Sequence, residues 1–137
     1  MRYIKRLAAV MVGLAISGGT VWASESWLQS QVSPRITQVN EPINYKIDPP
    51  APWDTRSDAI QRVDVHLQYQ SDATVLSQLC LASSYRCVTI NGSSFTTDVF
   101  NGEPINSAFF LVHTVTRWND ADPNLYIRSS LAVWAGH

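Results

Sequence analysis

The chain has 137 residues, 45% of them apolar and 15% charged, a balance that suits one compact domain and excludes a disordered tail, a collagen-like repeat and a multidomain enzyme. Ten basic side chains against eleven acidic ones leave no cationic surplus to gather phosphate backbones, so nucleic acid is not an expected partner.

Residues 1–23 read as a secretory signal peptide. Arg2, Lys5 and Arg6 supply the positive start, Leu7 to Ile16 the apolar run, and Val21-Trp22-Ala23 a small-x-small cleavage site. The charge-free stretch from Leu7 to Ala23 is broken by Ser17-Gly18-Gly19-Thr20 and is marginal for crossing roughly 30 Å of hydrocarbon. No cysteine follows the apolar run, which removes a lipid anchor at a processed cysteine. Cleavage after Ala23 leaves residues 24–137 as the folded domain. With three basic side chains gone, seven face eleven acidic ones and the formal charge becomes −4.

From Ser24 to Ala59 the pattern is irregular. Trp27, Leu28, Val32, Ile36, Val39, Ile43, Tyr45 and Ile47 suit pieces of edge strand, and Asp48-Pro49-Pro50-Ala51-Pro52 forbids either regular element and reads as an extended connector leading to Trp53. In Val63-Asp64-Val65-His66-Leu67-Gln68-Tyr69 the apolar residues fall on odd positions, which puts four side chains on one face of an extended strand.

Val75 to Leu81 and Cys87 to Ile90 form the next two arms, rich in branched residues. Cys80 and Cys87, the two cysteines of the chain, flank a short polar loop between these arms. In an exported chain they are expected to pair as a disulfide stapling a hairpin. Their six-residue spacing fits neither a two-residue redox motif nor a four-ligand zinc site.

Asn91-Gly92 and Asn101-Gly102 carry the signal of tight hairpin turns, with one short strand over Phe95 to Phe100 between them. Ala108 to Trp118 is the longest apolar segment. Phe109, Leu111 and Val115 lie on one side and Phe110, Val112 and Trp118 on the other, the signature of a central strand covered on both faces. The turn-forming run Asn119 to Asn124 then leads into Leu125 to Trp134, expected to close a final hairpin. No window shows helical apolar spacing with caps. The expectation is an all-β domain, a single antiparallel β-sandwich of about seven short strands with a disulfide-stapled hairpin.

No titratable group has a visible activator, so the chain reads as a non-enzyme with no metal and no cofactor. His66 beside Asp64 suits a weak surface pair, His113 shares parity with Leu111 and Val115 and suits a buried, hydrogen-bonded imidazole, and His137 is terminal. There is no Gly-x-Ser-x-Gly elbow and no Gly-rich phosphate loop. Asn119, Asp120, Asp122 and Asn124 lack the Gly and Glu of a calcium loop, and Asn91-Gly92-Ser93 matches a glycosylation triplet by chance. Among the tryptophans, Trp118 and Trp134 suit sealing of the core. Trp27 and Trp53, in the irregular segment, are the residues expected to meet a partner, with stacking on a sugar as the alternative use of exposed aromatics.

Leu79-Cys80, the polar loop ending Arg86-Cys87-Val88, then Gly92-Ser93 and Thr96-Thr97 resemble the FlhE family of flagellar accessory proteins. Ser26-Trp27, the proline-bearing middle and the strand ending Leu67-Gln68-Tyr69 extend the likeness in looser form. The resemblance implies a periplasmic β-rich protein that acts through contacts with flagellar export or rod and hook proteins, limits proton leakage through the export apparatus and behaves in a chaperone-like way. It carries over no catalytic residue, only the Cys80 and Cys87 pair. The alternative reading is a secreted carbohydrate-binding or adhesin-like module.

Overall fold

A computed structural model describes residues 25–50, 58–119 and 123–136. The expected signal peptide over residues 1–23, Trp53 with residues 51 and 52 of its connector, Asp120, Asp122 and His137 lie outside the described residues.

Eight strands are present among the described residues, in chain order β1 (Glu25–Val32), β2 (Ile43–Ile47), β3 (Ala59–Gln68), β4 (Thr74–Leu81), β5 (Cys87–Ile90), β6 (Ser94–Thr97), β7 (Phe109–Arg117) and β8 (Arg128–Gly136). They form two four-stranded antiparallel sheets, ordered β1-β8-β3-β6 and β2-β7-β4-β5. The fold is the expected all-β sandwich, with one strand more than expected because the irregular N-terminal segment supplies two.

Alternation sets the core. Val63, Val65 and Leu67 of β3 and Leu131, Val133 and Ala135 of β8 face Leu79 and Leu81 of β4 and Phe109, Leu111 and Val115 of β7, all in one buried cluster. Ile36, Phe100, Ile105, Leu125 and Ile127, from the connections, belong to the same cluster and close its ends. At roughly 1.5–3 kcal/mol per fully buried large aliphatic or aromatic side chain, this interior is the main source of stability.

Connectivity departs from the expected hairpins. Among the described strands only β4 and β5 are consecutive and paired, and each remaining step in chain order crosses from one sheet to the other. The last two strands are therefore no hairpin. β7 lies between β2 and β4, whereas β8 lies between β1 and β3. Each carries an apolar face, and packing these across the core buries both, which side-by-side pairing would not do. The descending connection is held where Ile36 and Leu125 exchange backbone hydrogen bonds of 2.9 and 3.0 Å.

The Asn-Gly turns also serve as corners rather than hairpins. Gly92 (φ +81°) and Gly102 (φ +91°) take the left-handed conformation, but their asparagines do not, so neither pair forms the turn that needs two positive φ values. The first corner carries the chain from β5 to β6 in the opposite sheet, and β6 ends at Thr97 instead of reaching Phe100. β7 is central as expected, but on its outward face Phe110 and Val112 are only half-buried.

The cysteine hairpin matches expectation. Cys80 and Cys87 are directly opposed in the β4–β5 register and disulfide-bonded. Replacing both by serine removes a loop-closing constraint that contributes about 2–3 kcal/mol in the chain-entropy model. The expected fall in thermal midpoint is on the order of 10 °C for a domain of this size, measurable by circular dichroism.

Candidate functional site

Three polar or aromatic arrangements stand out, one inside the sandwich and one on each outer face. The inner one is centred on His113 of β7, which shows 0% exposure. Its Nε2 lies 2.7 Å from the Tyr45 hydroxyl and its Nδ1 2.7 Å from Ser77 Oγ. The same Tyr45 hydroxyl also bonds Ser129 Oγ. Tyr45, His113 and Ser77 belong to one sheet and Ser129 to the other, so the chain of hydrogen bonds spans the core. A neutral imidazole has one donor and one acceptor, which two hydroxyl neighbours satisfy.

Burial pushes the His113 pKa down from 6.5 to about 4. It also pushes the Tyr45 phenol up to about 12, against the opposing pull of the Ser129 hydrogen bond. The Ser77–His113 pair has the spacing of a nucleophile and its base, but His113 is fully enclosed, Ser77 is buried at the edge of a surface depression, and no carboxylate among the described residues orients the ring. The expectation of a buried, hydrogen-bonded His113 holds, and the arrangement joins the sheets instead of meeting a substrate.

On the outer face of β1-β8-β3-β6 the signal is a break in alternation. Ile60 points inward at an even position and Val63 at an odd one, and the register against β8 shifts between Ile60 and Arg62. This bulge turns both Gln61 and Arg62 outward, the kind of re-aiming that bulges produce. Arg62 is paired with Trp134 and places its guanidinium 4.6 Å from the ring centroid. Asp64 binds this stack together. Its Oδ2 accepts from Trp134 Nε1 at 2.9 Å, its Oδ1 accepts from Thr96 Oγ1 at 2.8 Å, and Arg62 Nε lies 3.4 Å from Oδ1. Trp134 was expected to seal the core. It shares parity with Ala132 and opposes the buried Val133, so it stands on the outer face, half-buried beside a groove of about 640 Å³.

The outer face of the other sheet carries the disulfide and Tyr85. Tyr85 has φ +58° and is 76% exposed. A bulky residue in the left-handed region costs roughly 1–2 kcal/mol. The loop that imposes it is tightly tied. Tyr85 N–H donates to Leu81 O at 2.8 Å, Leu81 N–H to Arg86 O at 2.9 Å, and Arg86 Nη2 to Glu103 Oε2 at 2.9 Å. Tyr85 packs edge-on against Phe110 at 5.9 Å, above a shallow depression shared with Asn44, Lys46 and Ala82.

Other expected residues lie elsewhere. Trp27 is 2% exposed, with its ring 6.4 Å from Phe109 and its Nε1 donating to Ile105 O at 2.8 Å. It is part of the core and offers no surface to a partner, because its position on β1 has the inward parity. Trp118 packs against the core as expected. His66 bonds Ser94 Oγ at 3.0 Å and not Asp64, whose carboxylate is already engaged. Among the described residues no three His, Cys, Asp or Glu side chains could hold a metal. The sequence signals for the outer-face sites were the parity break at Ile60 to Val63 and the outward parity of Trp134. For Tyr85 there was none, since its exposure follows from the loop's backbone path.

No family model and no curated protein sequence matches the chain. Solved structures do match, and the fold is FlhE-like. The crystal structure of FlhE superposes with a TM-score of 0.70 at 18% identity, over 85% of this chain and 100% of that one. A chain in the complex of Aeromonas sobria serine protease with its chaperone matches with a TM-score of 0.65 at 11% identity. This match covers 88% of the present chain and 28% of the other. The structure of Tomato Aspermy Virus gives 0.54 at 10% identity, over 85% and 80%. At these identities the likeness is one of fold.

The His113 network generates an acid transition. The unfolded chain holds its imidazole near 6.5 and the folded one near 4, so the unfolded state binds more protons between those values. Stability is then full above about pH 6.5 and falls as the pH drops towards 4, with a loss on the order of 3 kcal/mol. Urea midpoints measured across this window show the decline. His113→Leu flattens it and lowers stability at neutral pH by about 2–3 kcal/mol, because the Tyr45 and Ser77 hydroxyls lose their partner.

Proposed function

We propose that the protein is an exported, periplasmic accessory factor of the flagellar export apparatus that acts through protein contacts and limits proton leakage, with chaperone-like behaviour towards its partner. The observation that carries this reading is the FlhE-like fold, matched over the whole length of the FlhE chain and containing the cysteine hairpin on which the sequence resemblance rests. A disulfide suits an oxidising compartment, and residues 1–23 supply the address.

The contact surface we assign is the Tyr85 patch. A rigid aromatic on a stapled loop has little conformational entropy left to lose on binding, which is the property of an interface anchor. Backbone strain at an exposed aromatic adds to the case, since strain is retained where function uses the geometry. The proline-rich connector bearing Trp53 remains a second proposed contact.

Gene deletion and complementation test this. Deletion is expected to alter flagellation and acidify the cytoplasm of cells building flagella, and the wild-type gene restores both. Normal flagella and normal internal pH after deletion would refute the flagellar reading. Tyr85→Gly separates contact from fold. Relief of the left-handed strain offsets the lost ring contact and the added chain entropy, so stability moves by no more than about 1 kcal/mol, while complementation fails. Full rescue by this variant removes Tyr85 from the interface. The intact mass of protein recovered from the periplasm is expected to lack residues 1–23.

A further inference from the structure

We infer that the groove beside Trp134 is a binding site for a neutral saccharide. The inference stands apart from the accessory-protein reading and rests on the difference between the floor of the groove and its walls. The floor is self-satisfied. The Trp134 N–H, the Thr96 hydroxyl and the Arg62 guanidinium all converge on Asp64, which fixes the Arg62–Trp134 stack in one arrangement.

The walls are different. Gln61, turned outward by the bulge, and Asp98 and Asn101, on the turn after β6, line the same groove. No hydrogen bond or ion pair ties the Asp98 or Asn101 side chain to another described residue, and the Gln61 side chain lies over Gly136. The turn itself is rigid: Asn101 N–H donates to Asp98 O and Gly102 N–H to Ile60 O, each at 3.0 Å, and Phe100 between them is fully buried. The backbone that carries Asp98 and Asn101 is therefore fixed, while their side chains are exposed at the groove.

Their chemistry selects the ligand. A pyranose presents an apolar C–H face and a rim of hydroxyls that both donate and accept. Arg62 lies over the Trp134 ring, so the flat surface offered to the C–H face is the stacked guanidinium, with the indole beneath it. Asp98 accepts, and the Asn101 and Gln61 amides do both, which suits the rim. Arg62 neutralises Asp64, so Asp98 leaves a net negative charge that disfavours anionic ligands. Cations lack a site of three ligating groups among the described residues. The volume, about 640 Å³, is within the range of small-molecule sites and exceeds what one sugar ring needs.

Chitotriose, cellotriose and maltotriose titrated separately into the exported protein, followed by tryptophan emission and calorimetry, test the inference. At least one is expected to bind saturably. Asp98→Ala and Asn101→Ala, in an exposed turn, are expected to weaken that binding by about tenfold or more, the loss of one good polar contact, with no change in thermal midpoint. Trp134→Phe is expected to abolish the emission change. Absence of saturable binding by all three trisaccharides up to about 10 mM, well above the weakest useful dissociation constants, overturns the site. So does an isotherm unchanged in both turn variants.

Discussion

Everything in this structure depends on two sheets turning one face each towards the other, with no helix among the described residues to cover either. Side chains alternate across a strand, so a sequence can supply an apolar inner face and a polar outer face from the same residues. β3, β7 and β8 do this without interruption over most of their length. The constraint is severe for any polar group on the inner parity. His113, Ser77 and Ser129 take inner positions, and they are tolerated because Tyr45 reaches between the sheets and links them into one satisfied network. Such a bridge also fixes how one sheet sits on the other, because a slip of either would break it.

The outer faces are free of that constraint, and there the two sheets diverge. One carries an ordered polar and aromatic array built around Asp64. The other carries a covalent staple with a strained tyrosine beside it. A sandwich fold supports many unrelated roles, so these two surfaces, more than the architecture, hold what is specific to this chain. They point away from each other across the core, and an occupant of one leaves the other open.

The sequence made much of this legible. The alternation from Val63 to Tyr69, the cysteine arms and the central apolar segment all correspond to strands, because their signals are local and their periods unambiguous. Local signals do not decide the outcome where the deciding partner is distant in sequence. Asn91-Gly92 and Asn101-Gly102 correctly mark reversals, but a turn dipeptide does not say which sheet the next strand joins. Trp27 looked available because its neighbours are irregular. Its burial is set by pairing with β8, at the far end of the chain, and by the carbonyl of Ile105. The hydrophobicity of Trp134 suits a core residue, but its even position, of opposite parity to Leu131 and Val133, places it outside. Tyr85 owes its exposure to a backbone conformation that side-chain chemistry does not announce.

The crossing of the chain between sheets at nearly every step has a kinetic meaning. Almost all strand pairings join residues remote in sequence, so loop entropy must be spent before most contacts can reward it, and the topology belongs with the slow-folding β proteins that take milliseconds to seconds. The β4–β5 ribbon is the exception, able to form by itself within microseconds. A newly made chain therefore has one early seed and a long interval with unpaired strand edges, during which aggregation competes with completion. Early oxidation of that ribbon would preserve the seed through the interval, giving the single cystine a role in assembly as well as in the finished molecule.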